Sequence, residues 1–146
     1  MLRHLGIGVV LASILASCQP SLRPKARPVV PPELLGEFKD DYGNSFRVSD
    51  SLFEQLPSTR YQVVDWNLAE QYLIARNDDR NSSDPGLWTR IDWMRFTGMS
   101  PYTWGFCLTA YRAPTADAAR ATEAANRSTP RTGCNGHPFS RMRRSG

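Results

Sequence analysis

The chain has 146 residues and a net charge of +4, with 40% hydrophobic and 22% charged residues. This length excludes several large domains and predicts one globular domain with short extensions. The positive charge lies at the two ends, because residues 33–130 carry ten basic and fourteen acidic residues, whereas residues 131–146 carry four arginines and no acid. Nucleic acid is therefore excluded as a partner, since most aromatic residues lie in the acidic part.

Residues 1–17 have the layout of a secretory signal peptide. Arg3 supplies an early positive charge, and an apolar run from Leu5 to Ala16 follows it. A transmembrane helix needs about 20 apolar residues, and Gln19-Pro20 ends this run too early. The run also lacks the polar face of an amphipathic helix. We therefore expect this segment to be cleaved from the mature protein.

The residues Leu15-Ala16-Ser17-Cys18 resemble the lipobox of bacterial lipoproteins, an aliphatic residue and two small residues before a cysteine. The resemblance implies that Cys18 is lipidated and becomes the acylated first residue, with chains such as palmitate. Two or three acyl chains anchor a protein stably, so we expect a membrane-bound protein of the cell envelope. Gln19 stands where the family's inner-membrane retention signal has Asp, which favours the outer membrane if the source has two membranes.

Residues 18–32 are predicted to be the lipidated cysteine and a Pro-rich tether. Five prolines and three basic residues, without an acid, follow Cys18. Such a segment is extended, at about 3.1 Å per residue, so it could hold a domain about 40 Å from the membrane. A proline-rich recognition motif is the alternative.

The three cysteines are Cys18, Cys107 and Cys134. An odd number in an exported protein leaves one thiol over. Once Cys18 is assigned to the lipid, Cys107 and Cys134 are expected to form one disulfide in an oxidising envelope.

Residues 33–146 predict a single mainly β (α+β) domain, with about six antiparallel strands in a small barrel or curved sheet, a C-terminal helix and a basic tail. The predicted strands span residues 36–40, 45–48, 61–66, 71–76, 87–96 and 102–111. A short helix is predicted at residues 50–56, because Ser51 and Glu54 have the spacing of a capping box. The alanine-rich residues 114–127 predict a second helix, with Thr115 as its N-cap.

The strand at residues 102–111 alternates most clearly. Trp104, Phe106 and Leu108 share one apolar face with Ala110, so Cys107 points to the opposite face. A disulfide from Cys107 would therefore fix the C-terminal segment to the outer face of the sheet. The tail after it is expected to be a frayed basic terminus, or to contact lipid phosphate or an acidic partner.

Gly36-Glu37-Phe38 in the first strand, together with a helix after the last strand, resembles a reduced lipocalin-type layout. Lipocalins usually have tryptophan where this chain has Phe38. The resemblance implies a closed barrel with a ligand cavity.

The candidate ligand-binding residues are the aromatic side chains Trp66, Trp88, Trp104 and Phe106. Trp88 and Trp93 have opposite parity, so one of them is expected in the core, and ordinary core packing is the alternative for the whole set.

Catalytic and metal-binding residues are not predicted. His137 is the only histidine after the signal peptide and has no free nucleophile assigned to it. Cys134 and His137 supply too few ligands for zinc. Asp79-x-Asn81-x-Ser83 lacks the glycine and the final glutamate of a calcium loop. No cofactor is expected.

These observations favour a non-enzymatic binding or accessory module for an apolar small molecule or an envelope protein. Two alternatives stay open. One is a hydrolase that uses carboxylates such as Asp40, Asp41 or Asp92. The other is a purely structural component of the envelope.

Overall fold

The structure, a computed structural model, describes residue 26 and residues 28–146, which form a closed antiparallel β-barrel. The eight strands are β1 (Gly36–Asp40), β2 (Ser45–Val48), β3 (Leu52–Gln55), β4 (Thr59–Asn67), β5 (Tyr72–Asn77), β6 (Trp88–Arg95), β7 (Trp104–Ala113) and β8 (Ser140–Arg144). Each strand pairs with the next along the chain, and β8 pairs with β1. The mainly β architecture, the antiparallel pairing and the disulfide are confirmed, but eight strands replace the expected six.

The predicted helix at residues 50–56 is wrong, because these residues form β3 and the turn before it. The hydroxyl of Ser49 accepts hydrogen bonds from the amides of Ser51 and Leu52, which makes the turn tight. Glu54 does not cap a helix. It lies between Arg47 and Arg60 of the neighbouring strands, with oxygen–nitrogen distances of 3.3 and 2.7 Å. The acidic residue that suggested a capping box thus forms cross-strand ion pairs instead.

The basic terminus is also not frayed, because residues 140–144 form β8 and close the barrel. Met142 enters the core and is fully buried. Arg144 donates to the carbonyl oxygens of Leu35 and Pro32 and lies 5.0 Å from the ring centre of Phe38. One apolar residue among three arginines gives too little alternation to predict a strand.

Helix α1 (Ala116–Arg120) is much shorter than the predicted 114–127 and lies between β7 and β8 rather than at the C-terminus. Its N-cap is Thr115, as predicted, whose hydroxyl accepts from the amide of Ala118 at 3.1 Å. The guanidinium of Arg90 in β6 binds the carbonyl oxygens of Arg120 and Thr122. These carbonyls are therefore satisfied from outside the helix, where the helix stops.

Aromatic side chains fill the barrel. Phe38 and Trp104 meet edge to face with their ring centres 5.2 Å apart, and Phe53 and Phe106 meet in the same way at 5.2 Å. Trp93 is also in this core, whereas Trp88 lies on the outer face next to α1, as their opposite parity predicted. Such close packing of large side chains makes the interior a core.

Residues 114–139 cover the outer face of β5, β6 and β7. The disulfide between Cys107 and Cys134 holds this covering segment, with a Cα–Cα distance of 5.5 Å. Buried Phe139 and Ala125 pack beside it. Cys107 therefore points away from the core, as the alternation of β7 predicted.

The two ends of the barrel differ. A 3-10 helix (Pro32–Leu34) lies at the end where β1 begins, with Val30 and Leu34 buried against the core. At the other end, called here the open end, β8 covers only Trp104, Gly105 and Phe106 of β7. No described residue forms a strand pair with β7 on that side from Cys107 to Ala113. At the open end, β8 therefore does not fill the space between β7 and β1, and this gap is called here the open seam.

Among residues 26 and 28–146, no helix has the length and apolar character needed to cross a membrane.

Candidate binding groove

The open seam holds a groove, called here the seam groove, on the outside of the barrel. It consists of two adjoining cavities of about 620 and 480 Å³ that share Tyr42 and Pro138. The larger cavity is also lined by Asp41, Phe96, Met99, Pro130, Arg131, Phe139 and Arg141. The smaller cavity is also lined by Phe106, Cys107, Leu108, Tyr111, Cys134, Asn135, His137 and Ser140. The groove thus runs from the β6–β7 loop across the β1–β2 turn to the end of β7.

Exposed apolar side chains are concentrated in this groove. Five large hydrophobic side chains are exposed in the described part of the chain, and Tyr42, Met99 and Tyr111 of the groove are three of them, at 66%, 37% and 44%. The other two, Val29 and Val64, lie elsewhere. Clustered exposed apolar surface is typical of interaction sites, whereas single exposed residues are ordinary.

The wall made by residues 130–139 is held tightly. Gly133 packs closely against an earlier part of the covering segment, since a Cβ at Gly133 would lie 1.9 Å from the carbonyl oxygen of Asn126. Cys134 and His137 exchange two backbone hydrogen bonds, and the amide of Phe139 donates to the carbonyl of Pro130. Together with the disulfide, these contacts fix the wall against β7.

Phe96 forms another part of the wall of the larger cavity. Its ring lies over Gly105 of β7, where a Cβ would come within 2.7 Å of the ring. Gly105 is therefore required for this close approach, because any side chain at that position would displace the aromatic wall.

Two arginines border the larger cavity, and they differ in their partners. Asp41 accepts from the amide of Arg141 at 2.9 Å and from its Nε at 2.8 Å. The hydrogen bond to Asp41 raises the pKa of Arg141 above its ordinary value. Arg131 is exposed, and its side chain has no hydrogen bond or ion pair with any residue that the structure describes. The groove therefore carries one neutralised and one uncompensated positive charge.

Of the four aromatic residues predicted to bind a ligand, Phe106 lines the groove. Trp66 and Trp104 lie in the packed core, with 5% and 2% exposure, and the indole nitrogen of Trp66 donates to the carbonyl of Asp50. Trp88 is half-buried beside α1. These three tryptophans do not lie along the groove.

The carboxylates considered for hydrolysis are each bound by neighbours. Asp40 accepts from the amides of Tyr42 and Asn44 and shapes the β1–β2 turn, and Asp41 is held by Arg141. Asp92 is fully buried on the outer face of β6, under the covering segment. These contacts place the three acids in turn formation and ion pairing.

The acidic loop between β5 and β6 is likewise organised by its own contacts. Asp78 accepts from Arg80 and Gln62, and the hydrogen bonds from Arg80 are the main reason that the pKa of Asp78 lies well below its ordinary value. Asp79 pairs with Arg76 at 2.7 Å. Within the described ranges, no group of three or more His, Cys, Asp or Glu side chains is placed to hold a metal ion.

Tyr42, Phe96, Met99 and Arg131 were not predicted from the sequence as site residues. All four lie in turns or at strand ends, where alternation says nothing about direction. Only the closure of the barrel by β8 brings the β1–β2 turn, the β6–β7 loop and the covering segment to one place.

Comparison of the chain with protein-family models, with curated proteins and with solved structures finds no match. The seam groove is therefore the feature on which a proposal about function has to rest.

Proposed function

We propose that the protein is a lipoprotein of the cell envelope, anchored to the membrane through acylated Cys18, that binds an apolar small molecule in the seam groove and catalyses no reaction. Where the source has two membranes, the outer membrane is the proposed location. The sequence pattern Leu15-Ala16-Ser17-Cys18 supports the anchor, and it lies outside the described residues.

The observation that carries the binding proposal is the seam groove itself. Its larger cavity, of about 620 Å³, falls in the range of roughly 300 to 1,000 Å³ that is usual for small-molecule sites. Apolar and aromatic side chains dominate its wall, and few polar groups converge on it. A ligand there would cover Tyr42 and Met99, which are otherwise exposed to water.

The ligand would lie outside the barrel. The interior positions are taken by aromatic side chains that pack edge to face. At the seam, by contrast, Phe106 and Leu108 border a cavity. The ligand would thus contact the margin of the core without displacing it.

A second occupant is favoured by the free edge of β7. An extended segment of another envelope protein could pair with residues 109–113. Beyond Leu108, whose carbonyl accepts from Asn135, the unpaired strand edge offers backbone donors and acceptors to a further strand. The mass of the retained species distinguishes the two occupants, because a polypeptide is much heavier than a small molecule.

Native mass spectrometry after mild extraction from membranes tests the proposal. We expect the protein to retain a small apolar adduct, and Met99→Gln to reduce the retained fraction about fivefold, because a polar group replaces an apolar wall of the site. The matched control is Val64→Gln, which makes the same kind of change at an exposed residue outside the groove. A protein without adduct, or equal loss in both variants, would contradict small-molecule binding in the groove.

A further inference from the structure

We infer that the ligand of the seam groove is a long-chain carboxylate, an anionic amphiphile whose head group pairs with Arg131 while its alkyl chain lies along Tyr42, Phe96 and Met99. This inference rests on the proposed function and specifies the class of its ligand.

The charge of the groove argues for an anionic ligand. Asp41 is the only acid among the residues that line the two cavities, and both of its oxygens are bound by Arg141. Arg131 has no such partner among the residues that the structure describes. An anionic head group would therefore meet an available guanidinium and no free carboxylate, whereas a cationic head group would meet only Arg131.

The shape of the charge distribution argues for a single negative charge. Arg141 is already neutralised by Asp41 and is further placed 4.9 Å from the ring centre of Tyr102. One uncompensated arginine matches one carboxylate, and a guanidinium can bind a carboxylate through two parallel hydrogen bonds. A diphosphate or a dicarboxylate would leave a charge without a partner.

The walls argue for an alkyl chain behind the head group. Phe96 and Met99 lie in the larger cavity with Arg131, and Tyr42 continues the apolar surface into the smaller cavity. Methionine adapts to irregular apolar shapes, and aromatic faces give broad contact areas. A flexible chain can follow this course from one cavity to the next.

Equilibrium dialysis with radiolabelled laurate tests the inference. The full chain is held in lipid nanodiscs, and protein-free nanodiscs correct for partition into the bilayer. Methyl laurate has the same chain without the charge. We expect laurate to bind about fivefold more tightly than methyl laurate, the effect of one partly exposed ion pair, and to lose this preference as the salt concentration rises.

Two variants assign the preference to a residue. Arg131→Gln should bind laurate and methyl laurate equally. Arg143→Gln is the matched control, because the side chain of Arg143 also lacks a partner among the described residues but lies outside the groove. It should keep the preference of the unchanged protein.

The outcomes separate the two proposals. Equal binding of laurate and methyl laurate by the unchanged protein would overturn the carboxylate inference and leave the apolar groove in place. A preference that survives Arg131→Gln would overturn the role of Arg131. Tighter binding of lauroyl lysophosphatidylglycerol than of laurate would replace the free carboxylate by a lipid phosphate. Failure of all three probes to bind would overturn the proposed function as well.

Discussion

Single arginine–carboxylate contacts organise the turns at the open end of the barrel. Asp41 holds Arg141 beside the groove, and Asp78 is held by Arg80 in the loop between β5 and β6. Both arginine side chains are substantially exposed, at 42% and 78%, so each pair contributes little to stability by itself. Their effect is on geometry, because a charged hydrogen bond gives a short turn one preferred shape.

The lowered pKa of Asp78 predicts an acid dependence of stability. Its ordinary pKa is 3.8 and the folded protein holds it well below that value, mainly through hydrogen bonds from Arg80. The unfolded chain therefore takes up a proton first as the pH falls, so the contribution of the carboxylate is complete above about pH 5 and is lost as the pH falls from about 4 towards the lowered pKa.

Asp78→Asn tests this dependence. The difference in free energy of unfolding between the unchanged protein and the variant should be constant above about pH 5 and should shrink between about pH 4 and pH 2. Urea denaturation at each pH gives both values. A difference that stays constant down to pH 2 would show that the pKa of Asp78 is the same in the folded and unfolded states.

At the scale of elements, the sequence predicted most strands, but it did not decide between a closed barrel and a curved sheet. Where apolar and polar residues alternate over several positions, as in β7, both the strand and the direction of Cys107 are confirmed. β3 and β8 have four and five residues, as do the correctly predicted β2 and β1. They were missed because a capping-box spacing in β3 and the arginines around Met142 in β8 hid the strand pattern. The helix was overestimated because alanine content measures propensity, and Arg90 ends α1 by a tertiary contact.

The groove was harder to predict than the strands for a related reason. Its residues come from a turn, a loop and the covering segment, which are distant in sequence and are united by the register of β8. The tryptophans that composition made conspicuous are mostly core residues, because a small barrel needs large side chains to fill it. Local pattern thus predicted the core well and the site poorly.

Asp92 joins the covering segment to the barrel wall. Both of its oxygens bind Arg90, at 2.9 and 3.0 Å, and it also accepts from Thr109 at 2.6 Å and from Arg127 at 3.0 Å. Arg90 in turn binds the carbonyl of Arg120 at the end of α1, and Arg127 binds the carbonyl of Trp93 in β6. One carboxylate therefore compensates two arginines that hold the segment at two points, near Arg120 and at Arg127.

We expect Asp92→Asn to destabilise the protein by about 3 to 5 kcal/mol, because it leaves buried positive charge without a partner. Denaturation in urea measures the loss. The matched control is Asp117→Asn, which removes an acid that is 94% exposed and paired with Arg120, and it should cost less than about 1 kcal/mol. Similar losses for both variants would mean that Asp92 acts as an ordinary surface charge.

At the scale of the whole molecule, the chain enters the barrel at the end opposite the open seam. Val30 and the 3-10 helix at Pro32–Leu34 lie against the core at the start of β1. The free edge of β7 and the smaller cavity lie at the other end. A tether attached at residue 32 would thus leave the smaller cavity free. The larger cavity reaches the tethered end, because its Phe96 follows Arg95, which pairs with Glu33 of the 3-10 helix.

The anchor makes a prediction about the whole protein. Intact mass of the mature chain should show loss of residues 1–17 and the added mass of acyl groups on Cys18, because a single cysteine at the end of a short apolar leader is the acceptor in lipoproteins. Cys18→Ser should abolish this mass gain and move the protein from the membrane to the soluble fraction, since two or three acyl chains supply the stable attachment. The double variant Cys107→Ala/Cys134→Ala, which removes the other two cysteines, should stay in the membrane fraction. An unmodified thiol at Cys18, or a leader retained in the mature protein, would overturn the anchor but not the groove, because the groove is built from residues 41–141 alone.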